Sequence, residues 1–176
     1  DHFVRQLIAN LTDHPSYYAH MSPANVQGPG PADLAVPESL DAAELTRRLD
    51  DGEWVVDLRR RVAFANSHLK GSVSFEYGSG SSFTTYLGWV LPWGEPLTLV
   101  GSRDDIESAI RDLSRIGIES LDAAVGTEPH ALAPQAGLAS YPCVGWDGVL
   151  AGRAPEDTVL DVRRADQFAA ARVVGA

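Results

Sequence analysis

Two stretches of the chain are copies of one another. Residues 54–72 (WVVDLRRRVAFANSHLKGS) and residues 158–176 (TVLDVRRADQFAAARVVGA) align without a gap at an offset of 104, and seven of nineteen positions are identical. The identities are Val55/Val159, Asp57/Asp161, Arg59/Arg163, Arg60/Arg164, Phe64/Phe168, Ala65/Ala169 and Gly71/Gly175. Solenoid units repeat every ~20–50 residues, so a period this long indicates a duplicated domain. The second copy has begun when the sequence stops, and the chain is expected to be a fragment of something longer.

The stretch between the copies alternates strand and helix signals. Asp41 and Glu44 are spaced as a capping box, with Leu40 and Leu45 as its hydrophobic staple, and Gly52 closes the helix. Trp54 to Leu58 reads as a short buried strand, Arg59 to Ser67 as partly helical, and Ser72 to Phe75 as a second strand. A glycine- and serine-rich loop (residues 76–82) leads to a helix over Phe83–Leu91 and a third strand over Leu97–Val100. Asp104 and Glu107 suggest another capping box, ahead of the apolar stripe Ile106, Ala109, Ile110, Leu113 and Ile116; Gly117 ends that helix. Ile118 to Val125 is the fourth strand. Strands alternating with helices imply an α/β fold, a parallel sheet flanked by helices on both faces.

Outside this unit the signals are weaker. Residues 1–13 place Phe3, Val4, Leu7, Ile8 and Leu11 on one helical face, and His14-Pro15 stops the helix. Residues 17–21 suggest one more short turn. Residues 22–37 hold four prolines and two glycines, a linker composition. Residues 127–138 are linker-like as well. The expected organisation is an N-terminal helical tail plus linker over 1–34, a domain over 38–126, a linker over 127–154 and a truncated second repeat over 155–176.

Charge and motifs narrow the function. With 14 Lys+Arg against 24 Asp+Glu the net charge is −10, which disfavours nucleic acid and anionic lipid as partners. Arg59-Arg60-Arg61 is too short a basic run to reverse that. No apolar stretch approaches the ~18 residues of a membrane span, and no signal-peptide pattern opens the chain. Cys143, the one cysteine, cannot form an internal disulfide, and the cytoplasm is the expected compartment. The five histidines never pair as HxH or HExxH, so no metal ligands are assigned. Phosphate-cradling glycine motifs are missing too.

The pattern Val55-Val56-Asp57-Leu58-Arg59, then Phe64, then His68-Leu69-Lys70-Gly71-Ser72 resembles the rhodanese family over residues 38–126, with a second start near 155. Rhodaneses carry sulfane sulfur on a cysteine persulfide, in a loop between a strand and the helix after it. The resemblance places that loop at Gly101-Ser102-Arg103-Asp104-Asp105-Ile106 and the nucleophile position at Gly101. Glycine carries no sulfur, so no catalytic residue is assigned. Ser102 and Arg103 are candidates to bind an anion, against a plain surface reading beside Asp104 and Asp105. Asp57, Arg59, His68 and Gly71 form the family's structural motif. Cys143, in Ser140-Tyr141-Pro142-Cys143, lacks a cationic neighbour or helix start to activate it.

Tyr17-Tyr18-Ala19-His20-Met21, Asn25 and Gly28-Pro29 resemble the end of a metallo-β-lactamase-fold domain in fusions with rhodanese repeats. That resemblance implies a persulfide dioxygenase–sulfurtransferase in which this segment is a non-catalytic spacer or docking module. Its partners would be neighbouring domains of the same polypeptide or a second copy of the chain. It needs no cofactor of its own; non-haem iron or zinc would sit upstream. The alternatives are a hydrolase of glyoxalase II type decorated with rhodanese repeats, or a sulfurtransferase using Cys143 or a cysteine beyond the fragment. In the first copy 44 residues separate Asp57 from Gly101. Equal spacing from Asp161 predicts a cysteine about 29 residues beyond Ala176, between an aliphatic strand and a helix. The full reading frame tests this, and a second copy without that cysteine rules out sulfur transfer there.

Overall fold

The computed structural model describes residues 2–9, 14–15, 17–28, 30–78, 80, 82–152, 154 and 156–173. The chain forms two compact units, residues 1–142 and 143–176. Leu11, Pro29 and Gly175, which entered the sequence reading, lie outside the described residues.

In the first unit the elements run α1 (His2–Ala9), α2 (Tyr18–Gln27), α3 (Ala42–Asp50), β1 (Trp54–Asp57), α4 (Arg61–Asn66), β2 (His68–Leu69), β3 (Val73–Ser74), α5 (Phe83–Val90), β4 (Leu97–Gly101), α6 (Arg103–Ser114), β5 (Leu121–Val125), α7 (Pro129–Leu132) and β6 (Leu138–Ala139). Four strands form a parallel sheet in the order β3-β1-β4-β5. Val56 pairs with Leu99 and Asp57 with Val100, while Val100 pairs with Ala124 on the other side.

Side chains alternate across this sheet, and each face has its own core. Val56, Leu58, Leu97 and Leu99 pack with Phe83 and Leu87 of α5 and with Ile106, Ile110 and Leu113 of α6. Val55, Val100 and Ala124 pack on the opposite face with Leu45 and Leu49 of α3, Leu69 and Ala133. β1 and β4 are thus covered on both faces, which is why their sequences are continuous apolar runs. Each leucine fully buried in this way stabilises the fold by about 1.5–3 kcal/mol. The polar exception, Thr98, accepts a hydrogen bond from Arg48 Nη1 at 2.8 Å. Arg48 also reaches Asp122 and Glu44. Hydrogen bonds from Arg47 and Arg48 hold the Glu44 carboxyl down at about 2.

Several sequence expectations change. The N-cap of α6 is Ser102, whose Oγ accepts the Asp105 N–H at 3.2 Å; Asp104 sits inside the first turn. Strand β4 runs one residue further than expected, to Gly101, and the helix starts directly after it because Ser102, a favoured cap residue, precedes Asp104. The segment after β5 is not a bare linker. α7 buries Pro129 and is followed by buried Ala133, and β6 pairs antiparallel with β2, His68 opposite Ala139. The compact unit therefore continues to Pro142. Elements of two to four residues carry too little periodicity to be read in advance. α2 extends through Pro23 to Gln27, well beyond one short turn. On α1, Phe3, Val4 and Leu7 are exposed.

The second unit contains α8 (Trp146–Gly152) and α9 (Ala165–Ala170). Residues 158–162, the counterparts of Trp54–Leu58, form no ladder among the described residues, and Leu160 and Val162 are 79% and 86% exposed. Among the described residues no helix is long and apolar enough to cross a membrane. Leu99→Ala should lower stability by about 2–5 kcal/mol through the cavity it leaves. Val62→Ala, at an exposed position of α4, should change it by no more than about 0.5 kcal/mol; urea denaturation of both variants checks the assignment of the core.

Candidate functional site

Open parallel sheets offer their ligand sites at the carboxyl ends of the strands. In this chain that edge is organised by Asp57, the last residue of β1, which is 2% exposed. Its carboxylate accepts the Arg59 backbone N–H at 2.9 Å, Arg59 Nε at 3.0 Å to each oxygen, and Arg59 Nη2 at 2.7 Å. The same guanidinium donates to the Ser67 carbonyl at 2.8 Å and the Thr127 carbonyl at 3.2 Å. A planar fork with five donors suits this task, since it grips a carboxylate with one side and still reaches two carbonyls. Together these bonds tie the end of β1 to the end of α4 and to the segment after β5.

His68 and Gly71 complete the frame. His68 Nδ1–H donates to the Phe64 carbonyl at 2.8 Å, and the imidazole stacks on the Phe64 ring with centroids 3.9 Å apart. Gly71 has φ +94°, and a Cβ there would lie 3.3 Å from the Leu49 carbonyl oxygen. Both conditions favour glycine. The structure thus gathers Asp57, Arg59, His68 and Gly71 around one turn, from β1 through α4 to β2.

Gly101 ends the neighbouring strand. A Cβ built on it would lie 3.2 Å from Leu58 Cβ and 3.4 Å from Leu58 Cδ1. The side chain that follows Asp57 therefore crowds this position, and a residue larger than glycine there would require it to give by a few tenths of an ångström. The loop expected from Gly101 to Ile106 is a single residue long, because α6 begins at Arg103. Ser102 Oγ donates to Asp105 Oδ2 at 2.6 Å, so a carboxylate of the chain itself takes the hydroxyl proposed for an anion. Asp104 and Asp105 occupy the first turn, where acidic side chains stabilise a helix. Arg103 is exposed and makes no ion pair among the described residues.

Beside β3 lies a cavity of about 640 Å³ lined by Arg60, Arg61, Phe75, Glu76, Tyr77 and Tyr86 among others. Sequence reasoning missed it, treating residues 76–82 as a featureless loop. Its carboxylate is engaged: Glu76 pairs with Arg60 at 3.6 Å and accepts the Arg61 backbone N–H at 3.3 Å. Tyr77 donates its hydroxyl to Asp112 at 2.8 Å, and burial, followed by that carboxylate, pushes the phenol up to about 12. Among the described residues no group of three or more His, Cys, Asp or Glu side chains could hold a metal ion. Cys143 is exposed in the second unit.

The second Asp-x-Arg stretch builds the same ring. Asp161 accepts the Arg163 backbone N–H at 3.0 Å and its Nη2 at 2.6 Å, and Nη2 also donates to the Ala171 carbonyl at 2.6 Å. Ala171 is the counterpart of Ser67, and α9 is the counterpart of α4. Val56 and Leu58, by contrast, are fully buried, whereas their counterparts Leu160 and Val162 are exposed.

No family model matches the sequence, and neither does any curated protein. Among solved structures the chain is similar to a metallo-beta-lactamase from Staphylococcus aureus subsp. aureus COL, with 20% identity over 69% of this chain and a TM-score of 0.56. The chain spans about a third (32%) of the length of that protein. It is also similar to the rhodanese-like domain of an Anabaena sp. protein, with 17% identity over 72% of this chain and 92% of that one, at a TM-score of 0.48. Identities this low speak to the fold alone, a parallel sheet flanked by helices.

The ring in the second unit makes a pH prediction. Hydrogen bonds from the Arg163 side chain, then from its backbone, lower the Asp161 carboxyl to about 2 from an ordinary 3.8. A depressed carboxyl adds stability that is complete above its unfolded value and is lost as pH falls through the folded one. The local ring should therefore persist at pH 4 and open as pH falls through about 2. A carboxylate NMR titration with an Asp161 midpoint near 4 would show that the ring does not form in solution.

Proposed function

We propose that the first unit is a rhodanese-homology module without sulfur chemistry of its own, acting as a spacer or docking domain in a multidomain persulfide dioxygenase–sulfurtransferase. The observation that carries this reading is the Gly101 position. The residue where a persulfide would form lacks a side chain, and Leu58 occupies the space beside it. A thiolate at a strand–helix junction relies on free N–H groups at the helix start. At α6 the Ser102 cap and the Asp105 carboxylate already engage one another.

The repeated ring at Asp161 and Arg163 supports reading residues 155–176 as the opening of a second, homologous domain. Exposure of Leu160 and Val162 fits that reading, since both faces of this segment would be covered once the rest of its sheet was present. The likeness to a Staphylococcus aureus metallo-beta-lactamase, of which the chain spans a third, is compatible with a metal-dependent domain elsewhere in the same polypeptide. Such a domain would supply its own ligands, since no group of three or more His, Cys, Asp or Glu side chains among the described residues could hold a metal ion. Metal ligands upstream of Asp1 would separate the dioxygenase from the glyoxalase II-type alternative.

Assays of thiosulfate:cyanide sulfurtransfer with the 176-residue chain test the proposal. The chain should show no turnover above that of Cys143→Ser. Gly101→Cys should add little, because Leu58 crowds the new side chain and Asp104 and Asp105 oppose both a thiolate and an anionic donor. Turnover that disappears in Cys143→Ser would assign the chemistry to that thiol, and vigorous turnover from Gly101→Cys alone would show that the pocket is intact.

A further inference from the structure

The strongest unexplained feature lies on the face of α5 and α6, away from the sheet edge. Gly88 sits inside α5 and is buried. Glycine is a poor residue for a helix interior, so its presence calls for a local reason. That reason is Tyr17: a Cβ at Gly88 would come within 2.6 Å of Tyr17 Cε1 and 2.9 Å of Cδ1. A second ring contact follows three residues later. His20 stacks flat on Trp93, with centroids 4.3 Å apart and planes 5° from parallel. Trp93 in turn lies over Gly117, where a Cβ would meet its Cη2 at 2.7 Å.

We propose that this face is a docking site for Pro15 and residues 17–27 of the same chain, with Gly88 as the notch that admits Tyr17. Pro15 is buried, and its carbonyl accepts the Tyr18 N–H at 3.1 Å, turning the chain into α2 over the notch. α2 itself buries none of its residues, so the attachment rests on Pro15, Tyr17 and the His20–Trp93 stack. Burial raises the Tyr17 phenol, in keeping with a ring seated against protein. The chain then crosses to the far edge of the sheet, where Leu40 N–H donates to the Ala123 carbonyl at 2.8 Å. The chain is thereby anchored to the α5–α6 face at Pro15, Tyr17 and His20, a property the module needs if it spaces or docks a neighbour. The docking itself is independent of the sulfur chemistry and is tested separately.

A double-mutant cycle on the whole chain decides it, read by thermal midpoint and by hydrogen exchange of the 18–27 amides. With Tyr17 present, Gly88→Ala must displace the ring. Without it the new methyl fits, because its next neighbour, Ile116 Cδ1, stands at an ordinary 3.6 Å. In the Tyr17→Ser background Gly88→Ala should raise the midpoint by about 2–4 °C, the ordinary gain of alanine over glycine in a helix. In the unmodified background the shift should be smaller or reversed, and the 18–27 amides should exchange as fast as in Tyr17→Ser. Equal shifts in the two backgrounds with unchanged exchange overturn the proposal. Should Gly88→Ala fail to fold, the double variant decides: recovered folding supports the notch and continued failure refutes it.

Discussion

The grip of Arg59 on Asp57 is the contact on which the carboxyl edge of the sheet depends. Both side chains are largely withdrawn from water, with 12% and 3% of their surface exposed. Taking two charges out of solvent is costly, and the attraction between them offsets that cost only when the remaining donors and acceptors are satisfied. Here they are. The carboxylate accepts from a backbone N–H as well as from the guanidinium, and the guanidinium reaches two further carbonyls. The end of β1, the end of α4 and the segment after β5, the last of them 68 residues from Arg59, are held at one point by a single side chain. Removing either partner would leave the other charge buried, a situation worth about 3–5 kcal/mol of destabilisation in general.

With that corner fixed, the position of Leu58 is fixed too. It follows Asp57, its N–H donates to the Val100 carbonyl at 2.9 Å, and its side chain turns to the α5–α6 face beside Gly101. The chemistry of this edge is therefore determined by packing as much as by the identity of residue 101. A loop able to cradle an anion needs several residues whose N–H groups point inward. One residue between β4 and α6 does not provide that, and the N–H of Asp105 is already taken by Ser102. The same junction is well suited to starting a helix: serine at the cap, acids in the first turn and an apolar stripe behind them.

Comparison of the two Asp-x-Arg stretches separates local from global structure within one chain. Asp161 and Arg163 close the same ring as Asp57 and Arg59, at nearly the same distances, without a sheet around them. A carboxylate two residues ahead of a guanidinium, followed by a turn of helix, is enough to build it. Burial is a different matter. Val56 and Leu58 are covered because β3 and β4 pair on either side of β1 and helices cover its faces. Leu160 and Val162 have no such neighbours among the described residues.

Much of the fold was legible because its determinants are close together along the chain. Apolar runs at 54–58 and 97–100, the Asp41 cap, the stripe of α6 and the glycines at 52 and 117 act within a few residues of themselves, and they imply a parallel sheet flanked by helices. The Asp-x-Arg ring belongs to this class, which is why its repetition in sequence reappears as a repetition in structure. Other features depend on register between segments that sequence distance does not relate. Leu58 against Gly101, β2 against β6, Arg59 against the Thr127 carbonyl and Tyr17 in the notch at Gly88 join residues from 43 to 71 positions apart. The sequence by itself determined that residue 101 carries no thiol. Tertiary structure alone decided that Leu58 crowds that position and that a single residue separates β4 from α6, because only the pairing of β1 with β4 brings Leu58 and Gly101 together.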